Sequence, residues 1–219
     1  YNDLLSQLCR AVYIFLNVNK ISYIDCPISI LAGEHLTDNF KNNINRFQKL
    51  PCIIDDNDFK LSESVAILRY LCEKYTIPDH WYPRNDLTKR SKIDEYLEWQ
   101  HHARLGCVLY VQNTLFKPLR GINIPENVVK RSKVNMEIAL DDIENIWLAN
   151  HTKFLFVDQI TIADLLAVCE VEQTKMTGYN PYVGRPNLKK YMESVRELIN
   201  PIYDKAHEKC FKFIQNTKL

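Results

Sequence analysis

Glycine is scarce, five residues in 219, while nearly half of the chain is apolar and a quarter is charged. That balance describes an ordinary soluble globule rich in helix and gives no sign of a disordered segment. Excess charge is lacking too: 28 Lys and Arg meet 27 Asp and Glu. The chain therefore lacks the positive field that follows nucleic acid or an anionic membrane surface, and neither is expected as a partner. Long apolar runs are missing as well. Those at 65–68 and 165–168 fall far short of the roughly 20 residues that cross a bilayer. The N-terminus has no basic flank and no apolar h-region, so a cytoplasmic location is expected. No CxxC pair occurs among the seven cysteines, at 9, 26, 52, 72, 107, 169 and 210. An odd, scattered set argues against a disulfide framework and a structural zinc site, leaving reduced thiols and no metal. There is no internal repeat and no low-complexity tract.

What is present divides into two halves. Residues 1–75 alternate short apolar runs with helical patterns in the order β-α-β-α-β-β-α. Leu4 and Leu5 read as the end of a strand, and the helix after them carries Cys9, Val12, Tyr13 and Leu16 on one face. "ISYIDCPIS" alternates as a strand should, and "LPCIIDD" and "DFKLS" form a hairpin around Asp56-Asn57-Asp58. Tyr1 then falls inside the first strand, so residues are expected to have been trimmed ahead of it. The two prolines of "TIPDHWYPRND" make 76–86 a linker. From 87 to 219 only helical stretches follow, at 87–111, 126–150, 162–176 and 187–198, with another near the C-terminus. The expected architecture is a two-domain α+β chain, a thioredoxin-like unit followed by an all-α bundle. Thr161 and Asp164 before an apolar run form a capping box, a folding device rather than a catalytic pair.

"DLLSQLCRAVYIFL", "LAGEH", "KLPCIIDDNDFKLSESVAILRYL", "PDHWYP", "DEYLEWQH" and "ITIADLLAV" occur in that order over nearly the whole length. With these segments the chain resembles the theta class of glutathione transferases. The resemblance implies an enzyme that conjugates glutathione to small electrophiles, the same thiolate also being suited to reducing hydroperoxides. It implies glutathione as co-substrate with no further cofactor, and a homodimer.

Within that resemblance Ser6 is the catalytic residue: its hydroxyl donates to the glutathione sulfur and favours the thiolate. Read alone, Ser6 is a plain N-cap. Leu50, ahead of a proline that the family holds in cis, would pair backbone to backbone with the cysteinyl part of the tripeptide, and Pro51 would shape that edge. Lys49 and His35 would face the glycine carboxylate, and Glu63, Ser64 and Gln7 the γ-glutamyl end. Glu63 and Ser64 open a helix, where backbone N–H groups favour an anion, though capping alone would also choose a serine there. The electrophile would lie against His102, Arg104, Leu105, Val108 and Leu109, of which helical spacing lets only some face a cleft. Adjacent histidines 101 and 102 point about 100° apart and cannot share a metal. Vertebrate members continue past the last core helix with a segment that covers the site. A chain stopping at "FKFIQNTKL" is expected to have a more open second site. Two other readings stay open: a ligand-binding scaffold of the same fold without turnover, and a thiol transferase using Cys9, in the first turn of the opening helix.

Overall fold

The structure, a computed structural model, describes residues 1–150, 152–156 and 159–217, with residues 216 and 217 described by backbone alone. The first half holds α1 (Gln7–Val18), a short α2 (Asp38–Asn43), the strands β1 (Cys52–Asp55) and β2 (Phe59–Ser62), and α3 (Ser64–Lys74). β1 and β2 pair antiparallel from Cys52 opposite Ser62 to Asp55 opposite Phe59. The tight turn between them, Asp56–Asp58, has Asn57 at a φ of 58°, a left-handed conformation that asparagine tolerates.

The two earlier strands are much reduced. Leu4 and Leu5 are not the end of a strand; they form a turn in which the Asp3 carboxylate accepts from the Leu5 N–H at 3.0 Å. Of "ISYIDCPIS" only Pro27 takes part in a ladder, as an isolated parallel bridge with Asn2. Asn2 bonds on both sides of it, to the Cys26 carbonyl (3.1 Å) and the Ile28 N–H (2.8 Å), while Tyr1 and Cys52 exchange bonds of 3.0 and 3.3 Å. The four-strand order thus survives as hydrogen bonds through Tyr1 and Asn2, but the chain turns away at Asp3 before a ladder can lengthen.

The second half is helical: α4 (Leu87–Val111), α5 (Lys117–Leu119), α6 (Glu126–Asp142), α7 (Ile162–Thr174), α8 (Pro186–Ile199) and α9 (Ile202–Thr217). α4 packs on α6 and α7, and Gly106 lets it approach closely, since a Cβ there would stand 2.9 Å from the Asn135 carbonyl oxygen. α7 lies at the centre, every one of its residues buried, and α1 of the first half packs directly upon it. Each Leu, Ile or Val so enclosed contributes roughly 1.5–3 kcal/mol.

The start of α7 is fixed by one carboxylate. Asp164 accepts from the Thr161 N–H (2.7 Å) and hydroxyl (2.9 Å), the Leu155 N–H (3.0 Å) and the Tyr191 hydroxyl (3.0 Å). The capping box therefore also ties α7 to α8 and to the loop before it. Replacing Asp164 by Ala removes the cap and strands several buried donors, so the chemical denaturation midpoint should fall by the equivalent of about 3 kcal/mol. Thr161→Ala should cost about 1 kcal/mol in the same measurement.

Candidate active site

The turn before α1 is held from both sides. Asp3, buried, accepts from the Ile30 N–H at 2.9 Å as well as from Leu5, and its carbonyl receives the Ser6 N–H at 2.8 Å. From α1 itself Arg10, wholly buried, reaches back to the Leu4 (2.9 Å) and Leu5 (3.3 Å) carbonyls. Its Nη2 donates to α7, to the Cys169 carbonyl (3.1 Å) and the Gln173 side-chain oxygen (2.6 Å), and its Nη1 also reaches the Cys210 sulfur of α9 at 2.8 Å, while its Nε has no partner among the described residues. Gln173 in turn donates to the Leu5 carbonyl at 3.2 Å. The backbone immediately before Ser6 is thereby bolted to the helical half.

Ser6 is the N-cap of α1, with an extended backbone (φ −84°, ψ 125°) and an oxygen that receives the Cys9 N–H at a long 3.5 Å. An oxygen used as acceptor keeps its own O–H free to donate, so capping and thiolate stabilisation are compatible. Ser6 borders a cleft of about 630 Å³ between the halves. Gln7, His35, Lys49 and Leu50 line the same cleft from the first half, and Arg104, Leu105 and Val108 line it from α4. Among the described residues no Asp or Glu lines it, whereas Lys49, Arg104 and Arg120 do. His35 is held below the usual histidine range by partial burial and by the nearby charges of Lys49 and Arg120, so at neutral pH it is an uncharged donor or acceptor. Among the described residues the Leu50 backbone N–H and C=O have no partner, which leaves an edge for an extended ligand. The Leu50–Pro51 peptide bond is cis.

Five residues named from the sequence lie elsewhere. Pro51 borders a separate cavity of about 370 Å³ together with Cys9 and Ile53. Glu63 and Ser64 stand at the start of α3, outside the lining, with Glu63 at a φ of 71° that a non-glycine residue rarely takes. His102 is exposed and does not line the cleft; its neighbour His101 does, with its Nδ1 2.6 Å from the Arg104 guanidinium. Leu109 also lies outside. The roughly 100° step between helical neighbours separates these pairs. Further lining comes from Leu31, Phe116, Arg120 and Gln173, which sit in segments whose own patterns give no hint of a shared cavity.

Cys9 points into the interior, 1% exposed, and burial pushes its thiol up to about 11. Its thiolate is then a minute fraction at neutral pH, unlike a redox cysteine. Among the described residues no group of three or more His, Cys, Asp or Glu could hold a metal ion.

Two family models match: "Glutathione S-transferase, N-terminal domain" over residues 1–79 and "Glutathione S-transferase, C-terminal domain" over residues 101–198. The chain belongs to the glutathione S-transferase family. It is similar to the theta class in particular. Bovine glutathione S-transferase theta-1 is 37% identical over 97% of this chain and 88% of its own length, and mouse theta-3 is 38% identical over the same shares. Among solved structures, human glutathione S-transferase T1-1 in its apo form superposes with a TM-score of 0.91 at 35% identity, covering 98% of this chain and 90% of the other. Human glutathione transferase theta-2, in complex with glutathione and an unknown ligand, gives the same TM-score at 36% identity, covering 98% and 87%.

Six of the seven cysteines in this glutathione S-transferase are buried, and Cys26 is half-buried. A disulfide exchange reagent should therefore label one thiol quickly in the native protein and the rest only on unfolding. The Cys26→Ser variant should lose the fast phase, and a fast phase lost in Cys9→Ala instead would contradict the burial of Cys9.

Proposed function

We propose that this chain transfers the thiolate of glutathione to small electrophiles, with Ser6 holding the sulfur ionised. The observation that carries the reading is a cleft with a free hydroxyl at a helix N-terminus and, among the described residues, three cationic side chains and no carboxylate in its lining. Glutathione brings two carboxylates, one ammonium and a thiol, so a cationic cleft suits it.

A free thiol ionises near 8.5. A hydrogen bond to a charged acceptor contributes about 1.5–3 kcal/mol, and a helix N-terminus about 0.3–1 kcal/mol. Each pKa unit corresponds to about 1.4 kcal/mol, so the two together depress the thiol by more than one unit. Ser6 is not itself a nucleophile: the attacking sulfur is the substrate's, its proton leaves to solvent, and its electron pair forms the new carbon–sulfur bond while the leaving group departs. The same thiolate is suited to attack on a hydroperoxide oxygen.

Leu50 would pair with the cysteinyl backbone through its free edge, and Lys49 with neutral His35 would receive the glycine carboxylate. Glu63 and Ser64 would take the γ-glutamyl end with Gln7. A positive φ at a non-glycine residue costs of the order of 1–3 kcal/mol, and such strain gathers at ligand-binding positions. Leu105 and Val108 would offer the electrophile an apolar wall beside Arg104. We further assign a two-fold dimer, for which Phe47, Ile54 and Phe59 leave apolar surface exposed on the first half. A cytosolic setting is in keeping with helices that, among the described residues, are not long and apolar enough to cross a membrane.

Removing one positioned donor from an anionic site lowers turnover by about 10²-fold or more. In an assay with a generic aryl halide, Ser6→Ala should therefore lose about 10²-fold in kcat/KM at neutral pH. The deficit should shrink as pH rises past the free-thiol pKa, where glutathione ionises unaided. Cys9→Ala should stay within twofold of the parent. Loss with Cys9→Ala alone would support a thiol transferase, and an inactive parent a scaffold.

A further inference from the structure

Beneath the floor of the cleft lies a carboxylate that the chemistry so far does not use. Glu170 of α7 is 4% exposed, and its Oε1 accepts from the Gln7 Nε2 at 3.2 Å. Its Oε2 is buried with no hydrogen-bond partner among the described residues. The charged and titratable groups facing it are Arg10 from α1, Arg104, Tyr96 and Cys107 from α4, and Cys169 on α7 itself. Neither arginine forms an ion pair with it: Arg10 donates to carbonyls, Gln173 and Cys210, and Arg104 lies against His101. An unpaired buried carboxylate is costly, and packing alone gains nothing from its charge. Its polar contact is with a residue that lines the cleft next to Ser6.

We propose that Glu170 is a positioning residue for glutathione, holding Gln7 by the Nε2 end of its amide so that the carbonyl end faces the cleft as an acceptor for the γ-glutamyl ammonium. The proposal rests on the glutathione reading of the cleft. Gln7 has one amide to offer, with donors at one end and an acceptor at the other. An ionised Glu170 can only accept, and so it takes the donor end. A protonated Glu170 can donate its new O–H to the Gln7 oxygen, which turns the amide and presents donors to a cationic ligand group. Burial pushes the Glu170 carboxyl up to about 7, so this exchange falls within the neutral range. The ionised, ammonium-accepting arrangement prevails above it, and binding weakens as pH falls through it.

The test uses S-methylglutathione, which has no thiol to titrate and whose amine and carboxylates keep their charges from pH 6 to 8. Its Kd is measured by calorimetry across that range on the parent, Glu170→Gln and Gln7→Ala, with circular dichroism to check folding. The parent should bind at least threefold more tightly at pH 8 than at pH 6. Glu170→Gln, of the same size but without a titrating proton, should bind with a Kd that is flat in pH. Gln7→Ala should be weaker at every pH and equally flat. A parent that binds with a flat profile, or a Glu170→Gln variant that keeps the parent's slope, overturns the proposal. Should Glu170→Gln fail to fold, Gln7→Ala decides, since a slope that persists without the amide overturns it and a lost slope supports it. A parent that does not bind S-methylglutathione at all overturns the glutathione reading and this proposal with it.

Discussion

The site depends on a buried guanidinium that has no carboxylate partner among the described residues. Arg10 is fully enclosed, and its two terminal nitrogens donate to the Leu4, Leu5 and Cys169 carbonyls, the Gln173 amide and the Cys210 sulfur, leaving its Nε alone without a partner among the described residues. A full charge in such a place is tolerable only when nearly every donor is satisfied. The consequence is geometric: the turn that delivers Ser6 cannot shift without breaking bonds to α7 and α9. The first half supplies the hydroxyl, and the second half holds it still. Asp3 completes the arrangement by fixing the same turn to Ile30, next to Leu31 of the cleft wall.

The central helix shows how a buried element carries polar work. α7 is buried all round, yet it includes Asp164, Glu170, Glu172 and Gln173, and each meets a partner on another element or segment. Asp164 starts the helix, Glu170 reaches Gln7, Glu172 accepts from Tyr203 at 2.8 Å, and Gln173 joins Arg10 and Leu5. The bonds of Glu170 and Gln173 couple the two halves through specific atoms, where apolar packing alone would leave their relative placement less determined, while those of Asp164 and Glu172 tie α7 to its neighbours within the second half.

Much of this was legible in the residues. The helix from Gln7 to Val18, the β1–β2 turn around Asn57 and the capping box at Thr161 each follow from local chemistry, since periodicity, turn preference and cap spacing act within a few residues. The outer strands were not, because a strand is completed by its partner: "ISYIDCPIS" alternates correctly but meets only Asn2, and the chain reverses at Asp3. In the cleft, Ser6, Lys49 and Leu50 came from motifs, whereas Gln173 and Arg120 came from tertiary folding alone. The choice of His101 over His102 turned on helix rotation, which the pair of adjacent histidines could not reveal. Glu170 stood among apolar residues two places before Glu172, and nothing in that spacing told which of the two acids reaches the cleft.

The central claim is that a hydroxyl held across the seam keeps a substrate's sulfur ionised. Its most direct test is an ultraviolet titration of the thiolate absorbance of glutathione bound to the parent and to Ser6→Ala. The account predicts a bound thiol ionising more than one unit below its free value in the parent, moving back toward about 8.5 in the variant. A bound thiol with the same pKa in both proteins would contradict it.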